Sequence, residues 1–295
     1  MSIKIAACVV LYNPSLEVIA NIQSYYPFVN YLIAVDNSEQ KNETIEQALQ
    51  SRFNNLAYKF LNANLGIAAA LNIACSIAIE NKFDWILTMD QDSSFVGNDL
   101  SKMITDIDTI EAQYKKVGII TPYHVLAEDY IEDLKQDFTV RKIAMTSGNL
   151  LNLKTYLVAG AFEEKLFMDF VDYEYCLRLR KYNYTIIQDN KVRLKHSLGN
   201  FRIRYFFGQK LGISNHNYQR RYYMTRNSLM VGTRHYMVDK KFFYNVLLNN
   251  LVLDPFLILF YEDNKLAKIK SIWKGVVHFL VGKSGKIGFS KVGNI

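Results

Sequence analysis

The chain has 295 residues, of which 50% are hydrophobic, with only 14 glycines and 4 prolines. This composition supplies enough apolar side chains for one large core or two fused lobes, and it excludes an intrinsically disordered chain. The formal net charge of +7 indicates an anionic partner. Because the sequence carries no helix-turn-helix, zinc-finger or RNA-binding signature, we expect phosphorylated small molecules or anionic lipid rather than nucleic acid.

Three cysteines, Cys8, Cys75 and Cys176, lie far apart in apolar stretches, so neither a disulfide framework nor a Cys-x-x-Cys metal site is expected. This pattern favours a reducing compartment, and the N-terminus lacks the cleavage site of a secretory signal. The most apolar window, 242–260, is interrupted by asparagines, an aspartate and Pro255. A membrane-spanning helix is therefore not expected.

Short β-rich runs alternate with helical runs over about the first hundred residues, which is typical of a parallel sheet flanked by helices in an α/β fold. The predicted strands are 3–11, 31–35, 57–61 and 85–89, and the predicted helices between them are 16–25, 44–53 and 67–79. Beyond residue 123 the alternation is lost. A strand-like run at 140–145 and a helical run at 172–182 follow, and the chain is helical and aromatic after residue 219.

Acidic residues follow two of the predicted strands, at Asp36 and at Asp90-Gln91-Asp92. Ligands bind at the carboxyl ends of strands in open α/β sheets, so both groups point to a site. In an extended segment Asp90 and Asp92 would share a face while Gln91 faces away. Two carboxylates can hold a divalent cation whose other ligands are substrate phosphates. The alternative interpretation is a solvated turn or a helix cap.

A second acidic group, Asp169, Asp172 and Glu174, stands at the entrance of the predicted helix 172–182. Neighbouring carboxylates at an apolar helix entrance raise one another's pKa, which suits a general base. The alternative is that Asp172 caps the helix and that Glu174 pairs with Arg178 one turn later.

Two segments hold much of the positive charge and contain no carboxylate. Residues 191–226 include nine basic residues, whose arginines could bind phosphate or form a solvated face. His196, in the same segment, is either an ordinary hydrogen-bonded histidine or a third metal ligand. Residues 264–295 include seven lysines and an apolar side with Trp273, Phe279 and Leu280, which suits either an anionic membrane surface or packing on the protein body.

The motifs occur in the order of a known family. The motifs are Val10-Leu11-Tyr12-Asn13-Pro14, Val35-Asp36-Asn37-Ser38, the run from Asn64 to Asn72, the run from Trp85 to Ser93, the run from Asp169 to Arg178, His196, and Arg226-Asn227. In this order and spacing the sequence resembles the family 2 inverting glycosyltransferases, which have the GT-A fold. Within them it most resembles the bacterial rhamnosyltransferases of O-antigen and cell-wall polysaccharide assembly.

The resemblance implies a GT-A nucleotide-diphospho-sugar transferase fold with a mostly parallel central sheet. It implies a nucleotide-sugar-binding half at 1–122, an acceptor-binding and catalytic half at 123–237, and a helical, basic C-terminal extension at 238–295. The implied activity is transfer of L-rhamnose from dTDP-β-L-rhamnose to a lipid-linked saccharide acceptor, with Mg²⁺ or Mn²⁺, by a cytoplasmic enzyme on the inner face of the bacterial cell membrane.

The resemblance also implies a role for individual residues. The nucleotide-sugar would be bound by Tyr12, Asp36, Asn64, Gly66, Asp90, Arg221 and Arg226, and the metal by Asp90, Asp92 and His196. Asp172 would be the catalytic base, although the family usually has a Glu-Asp pair there and this chain has Val171 before it. Asp169 or Glu174 could take part of the missing acid's role.

Other functions remain open to different degrees. A UDP-hexose or galactofuranose donor is compatible with the same motifs. A non-catalytic nucleotide-sugar-binding scaffold would keep the acidic strand ends, but the presence of Asp172 argues against it. A nucleotidyltransferase would show a glycine-rich, lysine-containing phosphate loop, and a dehydrogenase would show Gly-x-Gly-x-x-Gly after the first strand; the sequence has neither.

Overall fold

The computed structural model describes residues 3–125, 136–196, 202–206, 209–213 and 215–289, with backbone only at 196, 202–206 and 209–213. They form two compact units. The first unit comprises Met1–Glu163 and Tyr175–Ser197, and the second comprises Glu164–Glu174 and Leu198–Ile295. The units divide the chain differently from the predicted boundaries at 122 and 237, because the residues just after 122 supply further strands to the first unit's sheet.

The first unit is built on a nine-stranded sheet. Its strands are β1 (Ile5–Leu11), β2 (Tyr31–Asp36), β3 (Leu56–Phe60), β4 (Trp85–Asp90), β5 (Ser93–Phe95), β6 (Val117–Val125), β7 (Phe138–Arg141), β8 (Asn149–Asn152) and β9 (Thr185–His196). The spatial order is β3-β2-β1-β4-β8-β6-β9-β5, and β7 pairs with β9. The first four strands are parallel, as predicted. Because β8 runs antiparallel to β4 and β6, and β5 and β7 run antiparallel to β9, the whole sheet is mixed rather than mostly parallel.

Helices connect these strands. They are α1 (Glu17–Gln23), α2 (Glu43–Arg52), α3 (Ile67–Glu80), α4 (Asp99–Thr105), α5 (Ile107–Gln113), α6 (Leu153–Ala159) and α7 (Val171–Lys181). Every residue of β1 is buried, which explains its unbroken apolar sequence: a central strand covered on both faces has no solvent side. The predicted strand 140–145 is wrong, since β7 ends at Arg141 and the amide of Ala144 donates to Cys176 Sγ at 3.4 Å.

The described residues of the second unit are mostly helical, with one antiparallel strand pair of β10 (Arg202–Phe206) and β11 (Gln209–Ile213). Its helices are α8 (Tyr218–Arg234), α9 (Lys240–Leu248), α10 (Asp254–Tyr261) and α11 (Lys265–Leu280). Both α9 and α11 pack against α8. The predicted helical C-terminal extension is therefore present.

A π-helical turn, Asn249–Leu253, joins α9 and α10 into one helix of 22 residues, Lys240–Tyr261. Among the described residues it is the one helix that is long and apolar enough to cross a membrane. The polar residues and Pro255 were expected to interrupt this helix, but they do not. A proline lacks the backbone N–H and crowds the carbonyl four residues earlier, and the wider π turn lies at that carbonyl. Only 17% of the most apolar 18-residue segment of this helix is buried.

Candidate functional site

The order of the parallel strands creates a crevice at one edge of the first unit's sheet. The chain proceeds from β1 to β2 and β3 on one side, and β4 lies on the other side of β1. In open α/β sheets such a reversal opens a ligand-binding crevice at the carboxyl ends of the strands. The register pairs Leu11 with Asp36 and Val10 with Asp90, so Tyr12, Asp36 and Asp90 reach the same edge.

Gln91 ties the two sides of this crevice together. Its side-chain oxygen accepts from the amide of Tyr12 at 2.8 Å, and its side-chain nitrogen donates to the Tyr12 carbonyl at 3.2 Å. Its backbone carbonyl accepts from Asn21 Nδ2 at 2.8 Å. Residues 91 and 92 form a turn, so the predicted extended segment with Gln91 facing away is wrong. The ring of Tyr12 is left exposed at the edge.

Asp36 is fully buried where β2 ends. Its carboxylate accepts from the Tyr58 hydroxyl at 2.5 Å and from the Ser38 amide at 3.0 Å. Burial, together with the bond to Asp36, raises the pKa of Tyr58 well above its ordinary value, which keeps the hydroxyl protonated as the donor. Each oxygen of the Asp36 carboxylate thus has a donor within the protein.

Asn64 and Gly66 shape the turn that enters α3. The Asn64 side-chain oxygen accepts from Asn37 Nδ2 at 3.2 Å and from the Gly66 amide at 3.0 Å. Gly66 has φ 91° and ψ 162°, a conformation that only glycine adopts without strain. The amide of Leu65 donates to the Asn37 side-chain oxygen at 2.8 Å, so this turn is joined to the end of β2.

The segment before β8 completes the edge beside β4, and the sequence indicated no role for it. The amide of Asp90 donates to Ser147 Oγ at 3.1 Å, and a ring nitrogen of His124 lies 2.8 Å from the Ser147 carbonyl oxygen. Gly148 has φ 84°, and a Cβ there would lie 2.7 Å from Pro122 Cγ. A glycine is therefore required for Ser147 to approach β4 so closely. The run Thr146-Ser147-Gly148-Asn149 was the available signal.

Asp90 and Asp92 provide the oxygen ligands that a divalent cation prefers. Asp90 is half-buried at the strand end and Asp92 is exposed in the turn. No group of three or more acidic, histidine or cysteine side chains suitable for a metal occurs among the described residues. Two carboxylates nevertheless fit Mg²⁺ chemistry when substrate phosphates and water supply the remaining ligands.

His196, the predicted third metal ligand, ends β9. The antiparallel pairing of β5 with β9 places its backbone opposite Ser93, one residue from Asp92. The side chain of His196 lies outside the described residues, so its role as a metal ligand stays a prediction.

The residues at this edge of the sheet lie in a region that matches a known protein family. Residues 13–148 match the family model "Glycosyl transferase family 2", which includes Asp36, Asn64, Gly66, Asp90 and Asp92. Nearly half of the chain thus matches a family 2 glycosyltransferase model. It is also 25% identical over 244 residues to the dTDP-rhamnosyl transferase RfbF of Shigella flexneri, a match that covers 78% of this chain and 80% of that protein. The protein is thus a glycosyltransferase, as the sequence predicted.

Solved glycosyltransferases share the fold. The structure of Staphylococcus aureus TarS 1–349 superposes with a TM-score of 0.57 at 11% identity, covering 93% of this chain and 81% of that one. The structure of GalNAc-T7 with UDP, GalNAc and Mn²⁺ superposes with a TM-score of 0.56 at 9% identity, covering 70% of this chain. This glycosyltransferase spans only 44% of the GalNAc-T7 chain. At such low identity these structures establish the GT-A fold alone, and they confirm the predicted fold class.

The predicted catalytic base of the glycosyltransferase, Asp172, lies in the second unit in the first turn of α7, where it accepts from the Tyr173 amide at 2.8 Å. The two acids near it are engaged differently. Asp169 accepts from Arg220 Nε at 3.0 Å, and burial raises its pKa above the ordinary value although Arg220 opposes the shift. Glu174 is buried with its carboxylate 3.2 Å from a ring nitrogen of His235.

The segment immediately before Asp172 is strained. Phe167, Asp169 and Phe170 all have φ between 55° and 66°, a left-handed conformation that costs energy for any residue with a Cβ. Asn227 of α8 holds this segment, because its side-chain nitrogen lies 2.8 Å, 2.6 Å and 3.1 Å from the carbonyl oxygens of Leu166, Met168 and Asp169. One buried amide thus contacts three carbonyls of the strained segment.

Arg226 has a different place from the one predicted. It is fully buried, and its guanidinium donates to the carbonyls of Gly285 at 2.8 Å and Leu166 at 3.2 Å. Its centre lies 5.3 Å and 5.0 Å from the ring centroids of Tyr222 and Tyr223. These contacts occupy the guanidinium, so in this structure Arg226 stabilises the second unit and does not present itself to a diphosphate.

Arg221 is likewise buried among acids rather than open to phosphate. It donates to Asp254 Oδ1 at 2.9 Å and to Glu262, and Glu262 also accepts from the buried Lys268 at 2.8 Å. The predicted phosphate contact of Arg221 would break this network, in which two cations and two carboxylates balance. The sequence analysis did not predict the network because its two carboxylates are 33 and 41 residues away from Arg221.

Proposed function

We propose that the enzyme transfers L-rhamnose from dTDP-β-L-rhamnose to a hydroxyl group of a lipid-linked saccharide acceptor, with inversion at the anomeric carbon. The choice of donor rests on one observation. The chain is 25% identical, over 78% of its length, to a protein named as a dTDP-rhamnosyl transferase. The acidic edge of the first unit's sheet supports nucleotide-sugar binding, because that edge is where such folds bind their ligands.

In this proposal the nucleotide lies across the ends of β1, β2 and β4. The exposed ring of Tyr12 contacts the base, and the turn of Asn64 and Gly66 supports it beside Asp36. Asp90 and Asp92 hold Mg²⁺ or Mn²⁺, with His196 as the proposed third ligand. The bound cation would supply positive charge beside the diphosphate. Mn²⁺ accompanies UDP in the GalNAc-T7 structure, which supports a divalent cation here.

Asp172 is the proposed general base. It removes the proton from the acceptor hydroxyl while the hydroxyl oxygen forms a bond to the anomeric carbon. The bond from that carbon to the diphosphate oxygen breaks in the same step, and dTDP leaves with the electron pair. A β-linked donor then gives an α-linked rhamnoside. Its place in the first turn of α7, in an acidic run that matches the expected position of the base, supports Asp172 for this role.

A UDP-sugar donor is the second candidate. One specific observation favours it: the TarS structure in complex with UDP-GlcNAc shares the fold with a TM-score of 0.57. The chemistry assigned to Asp172 would be the same, and only the base and sugar contacts would differ.

Ligand-dependent thermal stabilisation tests the proposal directly. The purified protein is heated with dTDP-rhamnose, UDP-glucose, UDP-galactofuranose or UDP-GlcNAc, each with Mg²⁺, with Mn²⁺ and with EDTA. We expect the largest rise in melting temperature with dTDP-rhamnose and metal, since a ligand that binds only the folded state stabilises it. Asp92→Asn serves as control: because Asp92 is exposed, the variant should keep its unliganded melting temperature and lose the metal-dependent rise.

The outcomes separate the donor from the reaction class. A larger rise with a UDP-sugar would overturn the rhamnose assignment and leave glycosyl transfer standing. Equal rises with and without EDTA, in the wild type and in Asp92→Asn, would contradict the proposed metal role.

A further inference from the structure

The second unit exposes many large apolar side chains on two helices. The exposed side chains on Lys240–Tyr261 are Tyr244, Leu248, Leu251, Val252, Leu253, Leu259 and Phe260, and those on α11 and just after it are Leu266, Trp273, Val277, Leu280 and Val281. We call these residues the apolar surface. Soluble proteins rarely expose apolar patches of more than a few hundred square ångströms, and larger patches mark sites where a membrane or another molecule binds.

The helix Lys240–Tyr261 is fixed along the protein by its polar side. Asn250 donates to Ser228 Oγ at 2.8 Å, and Asp254 accepts from Arg221 at 2.9 Å. To span a bilayer, the helix would have to leave α8, expose these groups to hydrocarbon and leave Arg221 with one carboxylate fewer. One side of the helix is therefore held by the protein. The other side is exposed and mostly apolar, although Asn245 and Asn249 are also exposed. This is the arrangement of a helix that lies in a membrane interface.

The positive charge beside the apolar surface indicates which partner binds there. The described part of α11 and the residues after it, 265–289, contain six lysines and no carboxylate. Lys268 is buried against Glu262, whereas Lys265, Lys270, Lys274 and Lys283 are exposed. Lysines beside an exposed tryptophan and leucines are the composition of segments that bind anionic lipid.

We propose that the apolar surface rests on a bilayer that contains anionic phospholipid, with Lys240–Tyr261 lying in the interface and not crossing it. The lysine-rich helix α11 contributes Trp273 and Leu280, as the sequence suggested, but the preceding helix provides more than half of the apolar side chains. This inference goes beyond the proposed reaction, and its test needs no donor or acceptor.

Vesicle flotation with a matched pair of variants tests the proposal. Leu251→Glu with Val252→Glu changes side chains that are 57% and 54% exposed on the apolar surface, and Leu157→Glu with Val158→Glu changes side chains that are 65% and 60% exposed on α6 of the first unit. The wild type and both variants are floated with phosphatidylcholine vesicles with and without phosphatidylglycerol. Equal melting temperatures establish that each variant is folded.

We expect the wild type and the α6 variant to float with vesicles that contain phosphatidylglycerol. The Leu251/Val252 variant should float about tenfold less, because two carboxylates oppose both the apolar and the anionic part of the membrane. High salt should release the wild type in part.

Three results would overturn the proposal. One is equal flotation of the two variants. Another is retention of the wild type in cell membranes after an alkaline carbonate wash, which would indicate a spanning helix. The third is a dimer in solution that does not float and that the Leu251/Val252 variant converts to a monomer, which would make the surface an interface between copies.

Discussion

The two units of the glycosyltransferase use charged side chains in opposite ways. In the first unit, Asp90 and Asp92 stand at the end of a buried strand and reach the sheet edge half-buried or exposed. In the second unit, Arg221, Arg226 and Glu262 are buried and pair with groups within the same unit. The charges of the first unit named here are therefore accessible to a ligand, whereas those of the second unit stabilise its fold.

The difference follows from secondary structure. A strand that is buried along its length places whatever follows it at the edge of the sheet, so Asp90 reaches the edge whatever the rest of the chain does. A helix presents side chains in every direction, and the direction of Arg221 depends on which face of α8 the later helices cover. Substitution of a buried, paired charge should therefore reduce stability, and substitution of a half-buried or exposed acid should reduce activity.

The largest expected effect is on stability in the second unit. Arg221→Gln leaves Glu262 buried with only Lys268, and breaking a buried pair in this way costs about 3–5 kcal/mol of unfolding free energy. Chemical denaturation monitored by circular dichroism measures it. Lys41→Gln is the matched control, because Lys41 pairs with Glu46 at the surface and such pairs contribute about 0–1 kcal/mol. Equal losses in the two variants would show that the network is not structurally important.

The next effect is on the reaction. Asp172→Asn removes the proposed base while keeping a side chain that can still accept from the Tyr173 amide. We expect kcat to fall about a hundredfold or more, the usual contribution of a general base, with donor binding and melting temperature unchanged. Single-turnover transfer and donor titration measure the two quantities. Turnover like that of the wild type would remove Asp172 from the mechanism.

Asn227→Ala tests whether the strained segment matters for catalysis. Three carbonyls of that segment would lose their buried donor, which costs about 1–3 kcal/mol of stability. Because Asp172 follows directly, we also expect kcat to fall about tenfold through misplacement of the base. Donor affinity should not change. Asn250→Ala, which loses a single bond to Ser228, is the control and should leave kcat unchanged.

The sequence predicted the first unit well because its signals are local. The strands from Ile5–Leu11 to Trp85–Asp90 lie within a few residues of their predicted bounds, since apolar runs and polar ends define each one. The contribution of Ser147 was not predicted, because it depends on β8 running antiparallel beside β4.

The basic stretch 191–226, which begins in the first unit and ends in the second, shows why charge pairing was harder to predict. Six of its nine basic side chains are described, and five of them have partners from distant parts of the chain: Lys191 with Asp106, Arg193 with Asp99, Arg220 with Asp169, Arg221 with Asp254 and Glu262, and Arg226 with backbone carbonyls. The remaining one, Lys195, is exposed. A run of positive charge predicts a phosphate site only when the acids that could neutralise it are also located.

The smallest expected effect concerns a buried acid in the first unit. Unlike Asp90 and Asp92 at the sheet edge, this acid should affect stability. Asp189 of β9 is fully buried, and burial together with the nearby charge of Asp106 raises its pKa to about 7 against the pull of the Lys191 amide. The folded state therefore favours the protonated carboxyl. Its stability contribution is present at low pH and is lost as pH rises from about 4, where the unfolded chain ionises, to about 7, where the folded protein does.

Asp189→Asn removes this penalty. The amide keeps an oxygen that can accept from the Lys191 amide, as Asp189 Oδ1 does at 3.1 Å, and its nitrogen can donate to Asp106. We expect the variant to be about 1 kcal/mol more stable than the wild type above pH 7 and equal to it near pH 4. Denaturant titrations across this range measure the difference. A variant that is less stable at every pH would mean that Asp189 is ionised and stabilises the fold. Burial would then no longer explain why this carboxylate differs from Asp90 and Asp92 at the sheet edge.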